Sequence, residues 1–260
     1  MNIPAFIDRY FIKQPRLRRF VTAVLERNRI SVVEVAGARL QVNNRREHGY
    51  LRAGRMIRKN GTLRDEIPVL MNLFSVLRDG DTFVDVGSNV GLYTHAVVRL
   101  RSLYPRLRVV AIEANPDTFA RLSAAQIAGV QYLNVAASSS TGTLTFVDGA
   151  VSHVFTTIDK HNSYNIASET IDIPCKRLDE LEFPTNSLVI KIDVEGQESR
   201  VLDGAKKLFE QGRIRAVYLD GYEDATLNDL LINHGFTLFD GRTLLPITGR
   251  VFSLLALKRP

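Results

Sequence analysis

The run TFVDVGSNVGLYT, residues 82–94, constrains this chain more than any other stretch. A short apolar strand ends in Asp85 and Gly87, turns through Ser88 and Asn89, and resumes at Gly91 as a helix. Such a strand–turn–helix joint belongs to a parallel sheet, whose strands cannot be linked by a tight hairpin and so return through helices. The chain repeats this rhythm, with strands predicted at 82–86, 108–113, 131–136, 188–193 and 216–219 and helices at 92–101, 116–128, 198–210 and 225–234. Apolar runs this short and continuous suit strands covered on both faces. The segments GFTLF and VFSLLALK close the chain with a turn-rich link and no helix between them, so they pair as an antiparallel ribbon. The expected fold is therefore α/β, a doubly wound and mostly parallel sheet with a C-terminal antiparallel hairpin.

The chain before this sheet reads differently. Residues 1–60 hold 14 Lys and Arg against 4 Asp and Glu, a local balance of +10 in a chain of net charge +6. We divide the chain into a basic extension, 1–60, and a main domain, 61–260. From Pro4 to Arg29 apolar residues recur at helical spacing around Pro15, which predicts two short amphipathic helices, and SVVEVAGARLQV at 31–42 predicts a hairpin. Asp65 opens a helical run, DEIPVLMNLFSVL. The region from Ser138 to Thr170 is rich in Ser, Thr, Asn and His and is expected as an insertion or ragged hairpin over the site. Phe6, Tyr10, Phe11 and Phe20 beside Arg9, Lys13, Arg16 and Arg18 match a weak peripheral contact with an anionic membrane through residues 1–30. The competing reading packs the same apolar residues on the main domain or on a second subunit; the sequence sets no oligomeric state. No stretch approaches the roughly 20 apolar residues of a membrane span, and Met1 precedes Pro4, Asp8 and Arg9 rather than an apolar signal core, so a cytoplasmic protein, peripheral to a membrane at most, is expected. Cys175 is the single cysteine, which leaves no internal disulfide or cysteine cluster and predicts a buried thiol.

Three acids end predicted strands and should share the crevice outside the sheet's carboxyl edge. Asp85 is placed to anchor a cationic amino group, with Gly87 and Gly91 allowing close backbone approach. Glu113 closes its strand 22 residues after Gly91, the position from which a carboxylate accepts two ribose hydroxyls. Asp193 ends LVIKIDVEGQE, with Lys191 two residues earlier on the same strand face and Glu195 opening the next helix. A dinucleotide site asks for G-x-G-x-x-G, and the middle glycine is missing here.

In order and spacing, TFVDVGSNVGLYT, VVAIEANPDTFARL, LNVAASSSTGTLTF, IPCKRLDEL and VIKIDVEGQE resemble the FkbM-type methyltransferases. The resemblance runs from about Ser31 to the C-terminus, and VIKIDVEGQE is its most specific element. It implies a Rossmann-like methyltransferase fold, S-adenosylmethionine as methyl donor, and O-methylation of a hydroxyl on a sugar, glycan or related metabolite. It also implies that Asp85, Gly87, Ser88, Asn89 and Gly91 cradle the methionine end, that Glu113 takes the ribose, and that Asn134, Ala136 and Ala137 lie on the adenine side, with Glu66 matching an acidic position before the first motif. Asp220 departs from the glutamate usual in the family, and the Gly221-Tyr222 that follows lacks the histidine usual nearby.

Methyl transfer to a hydroxyl asks for a base, and Asp193 is the first candidate, Glu195 the second, with Lys191 in the same catalytic group. A variant places magnesium between Asp193 and Asp220. His153 and His161, in the expected lid, are weaker candidates. Competing functions are a nicotinamide-dependent oxidoreductase, a cofactor-binding protein without turnover, and a nucleic-acid-binding protein. No nucleic-acid partner is expected, because neither an aromatic stacking platform nor a reading motif accompanies the basic charge.

Overall fold

The computed structural model describes residues 28–55, 61–148, 156–157, 169–222, 224–247 and 249–258. The helices expected within the first 30 residues fall, up to residue 27, outside these, as do His153 and His161. The described chain opens with the expected hairpin, β1 (Ile30–Val35) and β2 (Ala38–Asn43), turning at Ala36 and Gly37, both at positive φ. Helices α1 (His48–Arg55) and α2 (Gly61–Val76) follow, α2 beginning a turn earlier than the run from Asp65 indicated and carrying Pro68 inside it.

The doubly wound part alternates as expected: β3 (Thr82–Val86), α3 (Leu92–Val98), β4 (Arg108–Ile112), α4 (Pro116–Ser123) and β5 (Val130–Leu133). A second region holds β6 (Ala136–Ala137), β7 (Gly142–Asp148), β8 (Thr156–Thr157) and β9 (Glu169–Lys176). The chain then resumes with β10 (Leu188–Ile192), α5 (Glu198–Asp203), α6 (Lys206–Glu210), β11 (Ile214–Asp220), α7 (Thr226–Asn233), β12 (Phe236–Asp240) and β13 (Ser253–Lys258).

The main sheet has seven strands in the order β12-β13-β11-β10-β3-β4-β5. The five strands from β11 to β5 are parallel, and β13 pairs antiparallel to both β11 and β12. This is the Rossmann-like methyltransferase arrangement with its terminal hairpin. Strand order reverses on either side of β3, so the crevice above β3, β4 and β10 is where a ligand fits such a sheet.

Two apolar layers cover the sheet. One face packs Val84, Val86, Ile190, Ile192, Val217 and Leu219 against α5, α6 and α7. The other packs Phe83, Val109 and Val189 against α2, α3 and the β1–β2 hairpin, whose Leu40 and Val42 are fully buried. The hairpin half of the basic extension is thus part of the main core. Each fully buried Leu or Val contributes about 1.5–3 kcal/mol.

Three local departures have physical causes. The strand expected over 131–136 breaks at Asn134, whose Nδ2 donates to the Glu113 carbonyl at 2.8 Å and turns the chain away, so Ala136–Ala137 joins the second sheet beside β9. The helix expected over 198–210 is split at Gly204, where a Cβ would stand 2.0 Å from the Ser138 carbonyl oxygen. Close approach of the second sheet replaces the continuous helix. Of the region read as an insertion or ragged hairpin, the described residues belong to a four-stranded sheet of order β6-β9-β7-β8, in which β7 and β9 pair antiparallel along their length. Cys175 on β9 is a free, buried thiol, as expected.

Candidate active site

An open cleft of about 810 Å³, including its mouth, lies over the carboxyl ends of β3, β4 and β10. Of the residues singled out from the sequence, Gly87, Asn89, Glu113, Ala136, Ala137, Asp193 and Glu195 line it. Glu66, Asp85, Ser88, Gly91, Asn134, Lys191 and Asp220 are not on its wall.

Glu113 owes its position to two loops. Asn115 caps α4 by accepting from the Asp117 and Thr118 amides, with Pro116 beginning the helix. That cap turns the Asn115 amide back onto Glu113 Oε1 at 2.9 Å, while the Asn89 amide donates to Oε2 at 2.9 Å. Asn89 reaches this position through a left-handed backbone, φ 50°. Burial raises the Glu113 pKa to about 7 against the pull of these two amides. Ile112, Val135, Ala136, Leu144 and Phe146 complete this half of the cleft with apolar surface. Leu144 and Phe146 come from β7 and were not identified in the sequence. The alternation of apolar residues in TLTFV, which puts both on one strand face, was the available signal.

Ser88, Gly91 and Asn134 act from behind the wall. The Ser88 hydroxyl donates to the Asp85 carbonyl at 2.6 Å, the Gly91 amide to the Ser88 carbonyl at 2.8 Å, and Asn134 holds the 113–114 backbone. Gly87, φ 75°, is required by the opposite loop, since a Cβ there would sit 1.9 Å from the Asp193 carbonyl oxygen.

The other half is built on charge. Register places Asp85, Lys191 and Tyr218 side by side on β3, β10 and β11. Asp85 is fully buried, and its Oδ2 accepts from the Thr94 amide and hydroxyl at 3.1 and 2.7 Å. Lys191 Nζ stands 3.4 Å from Asp85, 3.2 Å from Asp193 and 3.2 Å from the Gly87 carbonyl oxygen, with the Tyr93 ring 4.9 Å away. Burial lowers the Lys191 pKa, but Asp193, Asp85, Glu66 and Asp220 together outweigh it and raise the pKa above its ordinary value. Asp85, expected on a ligand amino group, is thus engaged inside the protein.

Asp193 remains 36% exposed at its side chain, and burial followed by the charge of Asp220 raises its pKa against the opposing effect of Lys191. The pKa of Glu195 rises to about 8, through burial and then through Asp193, Glu198 and Asp220. Its side chain also meets solvent, which screens that repulsion. Glu195 and Gly196 are both left-handed, φ 51° and 88°, a conformation that glycine adopts freely and that strains the backbone at Glu195 on the cleft wall.

A chain of tyrosines and acids flanks Lys191. Tyr93 donates to Glu66 at 2.5 Å and stacks on Tyr218, which donates to Asp220 at 2.6 Å; Ser253 donates to the same oxygen at 3.0 Å. Burial, then Asp193 and Asp220, raise Glu66 to about 7 although the Tyr93 bond and Lys191 oppose them. Tyr93 and Tyr218 were missed in the sequence, although alternation in AVYLD already sets Tyr218 on the face of Asp220. Among the described residues no group of three or more His, Cys, Asp or Glu could hold a metal ion, and no helix is long and apolar enough to cross a membrane.

A mostly parallel sheet with an acid-bearing cleft at its switch point is the frame of a Rossmann-like methyltransferase. Residues 85–238 match the family described as the methyltransferase FkbM domain, and the chain belongs to that family. It is similar to the hexuronic acid methyltransferase AglP of Haloferax volcanii, 33% identical over 150 residues, which cover 55% of this chain and 57% of the relative. The match therefore spans little more than half of that protein. Among solved structures it is similar to an FkbM methyltransferase from Methylobacillus flagellatus KT, with 18% identity, TM-score 0.46 and coverage of 70% of this chain and 45% of the other. It is also similar to an S-adenosylmethionine-dependent O-methyltransferase from Thermotoga maritima, with 10% identity, TM-score 0.38 and coverage of 88% and 77%.

Proposed function

We propose that this chain transfers a methyl group from S-adenosylmethionine to a hydroxyl of a sugar or glycan. The observation that carries the reading is one cleft joining the Glu113 carboxylate and an apolar wall to the Asp193 carboxylate. The donor set suits the cofactor. Glu113 keeps acceptor capacity for ribose hydroxyls beyond its two amide bonds. Ile112, Val135, Ala136, Ala137 and Phe146 offer the apolar surface that a purine needs, and Gly87 and Asn89, on the same cleft wall, would hold the methionine end. Asp85, Ser88 and Gly91 fix that loop from behind, and Asn134 fixes the 113–114 backbone. When bound, the cofactor supplies an electrophilic methyl group on a sulfonium.

The protein's part is orientation and removal of a proton. Asp193, reached by solvent and held by Lys191, takes the proton of the acceptor hydroxyl; Glu195 is second in line. Direct proton transfer to Asp193 needs no metal; a magnesium ion shared by the pair would have to use Asp220 Oδ2, since Oδ1 already accepts two hydrogen bonds. A sugar acceptor is favoured by the relationship to AglP. Calorimetric titration with S-adenosylhomocysteine and with NADH tests the cofactor assignment: saturable binding of the first alone supports it, and binding of NADH alone, or of neither, refutes it.

A further inference from the structure

The cleft is lined by Glu113, Asp193 and Glu195 and, among the described residues, by no Lys, Arg or His. Lys191 lies behind the wall, 2% exposed, and its charge is committed to Asp85 and Asp193. Beyond Lys191 stand two further acids, Glu66 and Asp220, each bonded through one oxygen to a tyrosine. The acceptor half therefore gathers more acidic groups than its one buried cation can pair. A cationic cofactor is at home in such a cleft. An acceptor carboxylate would meet like charge and, among the described residues, find no counter-ion.

We propose that the acceptor is a neutral polyhydroxylated sugar and that the cleft discriminates against hexuronic acids, in contrast to the substrate named for the relative. Neutral hydroxyls are donors that carboxylates accept well, so the same acids favour hydroxyls and disfavour carboxylates. Burial, and after it the charge of neighbouring acids, raises the pKa of Glu66 and Glu195, and a further anion set beside them would meet the same two costs. This proposal rests on the reading that a sugar hydroxyl accepts the methyl group.

The test uses the full chain, S-adenosylmethionine labelled in its methyl group, and the glycan fraction of cells lacking the protein. One half of the fraction is left native. The other is treated with carbodiimide and borohydride, which converts uronate carboxyls to primary alcohols. The expected result is transfer that survives reduction within twofold, with the label recovered by mass spectrometry after hydrolysis in a neutral sugar at least tenfold over uronate. Label in a uronate, or transfer lost on reduction, overturns the proposal while leaving the methyltransferase reading intact. Calorimetry on the same preparation separates the remaining outcomes. Cofactor binding without transfer to either half overturns the sugar acceptor and the proposal with it, whereas no cofactor binding overturns the proposed function itself.

Discussion

The two halves of the cleft hold their carboxylates by different means. Glu113 is fixed by backbone amides of Asn89 and Asn115, both supplied by turns that the main sheet forms in any case. Asp193 is fixed by Lys191, which is itself held by Asp85 and electrostatically coupled to Glu66 and Asp220. A carboxylate on backbone amides keeps its place when neighbouring side chains change. One in a side-chain charge network depends on every member. The Glu113 half should therefore tolerate substitution around it, and the Asp193 half should not.

The largest effect expected is on Lys191. Lys191→Met leaves Asp85 buried without its cation and should cost about 3–5 kcal/mol of stability, as measured by urea unfolding. Adding Asp85→Asn, which keeps an acceptor for Thr94 and removes the charge, should recover more than half of that loss. Loss of cofactor affinity without loss of stability in Lys191→Met would break the comparison by making Lys191 a ligand contact.

The next effect belongs to the amide-held half and concerns pH. The Glu113 pKa, raised to about 7 in the folded state, exceeds its ordinary value of 4.5. Between these values the folded chain retains a proton that the unfolded chain has lost, so stability falls as pH rises through the window. The gap corresponds to about 3 kcal/mol, absent below the lower pKa and complete above the upper. Calorimetric Tm of the free protein should therefore fall between pH 5 and 8 more steeply than that of Glu113→Gln. The cofactor should restore more stability at pH 8, where an ionised Glu113 accepts hydroxyls best. Parallel curves for the two proteins would remove Glu113 as the cause.

The smallest effect expected is that of a chelator. Proton transfer directly to Asp193 predicts turnover unchanged within about twofold in excess EDTA. Activity abolished by EDTA and restored by magnesium would give the Asp193–Asp220 pair to a metal.

The same contrast explains what was legible in the sequence. Strand, turn and cap lie within a few residues of one another in TFVDVGSNVGLYT and IEANP, so the sheet, Glu113 and its neighbours could be read from local pattern. The acid network joins α2, α3, β3, β10, β11 and β13, and its pairings depend on sheet register. Asp85 shows the difference. Its position at the end of β3 was legible, but its partners Thr94 and Lys191 lie nine residues and an entire crossover away. Asn134 and Gly204 misled the reading because a long-range contact with the chain beyond β4 and with Ser138 overrode local periodicity.

Side-by-side measurement on Glu113→Gln and Asp193→Asn tests the division of labour most directly, with cofactor affinity read by calorimetry and turnover at saturating cofactor read by labelled methyl transfer. The account predicts that Glu113→Gln weakens cofactor binding by on the order of 1.5–3 kcal/mol with turnover largely retained. It predicts that Asp193→Asn lowers turnover by roughly 100-fold or more with affinity within about threefold of the parent. The reverse assignment, or both variants losing both properties equally, would contradict it.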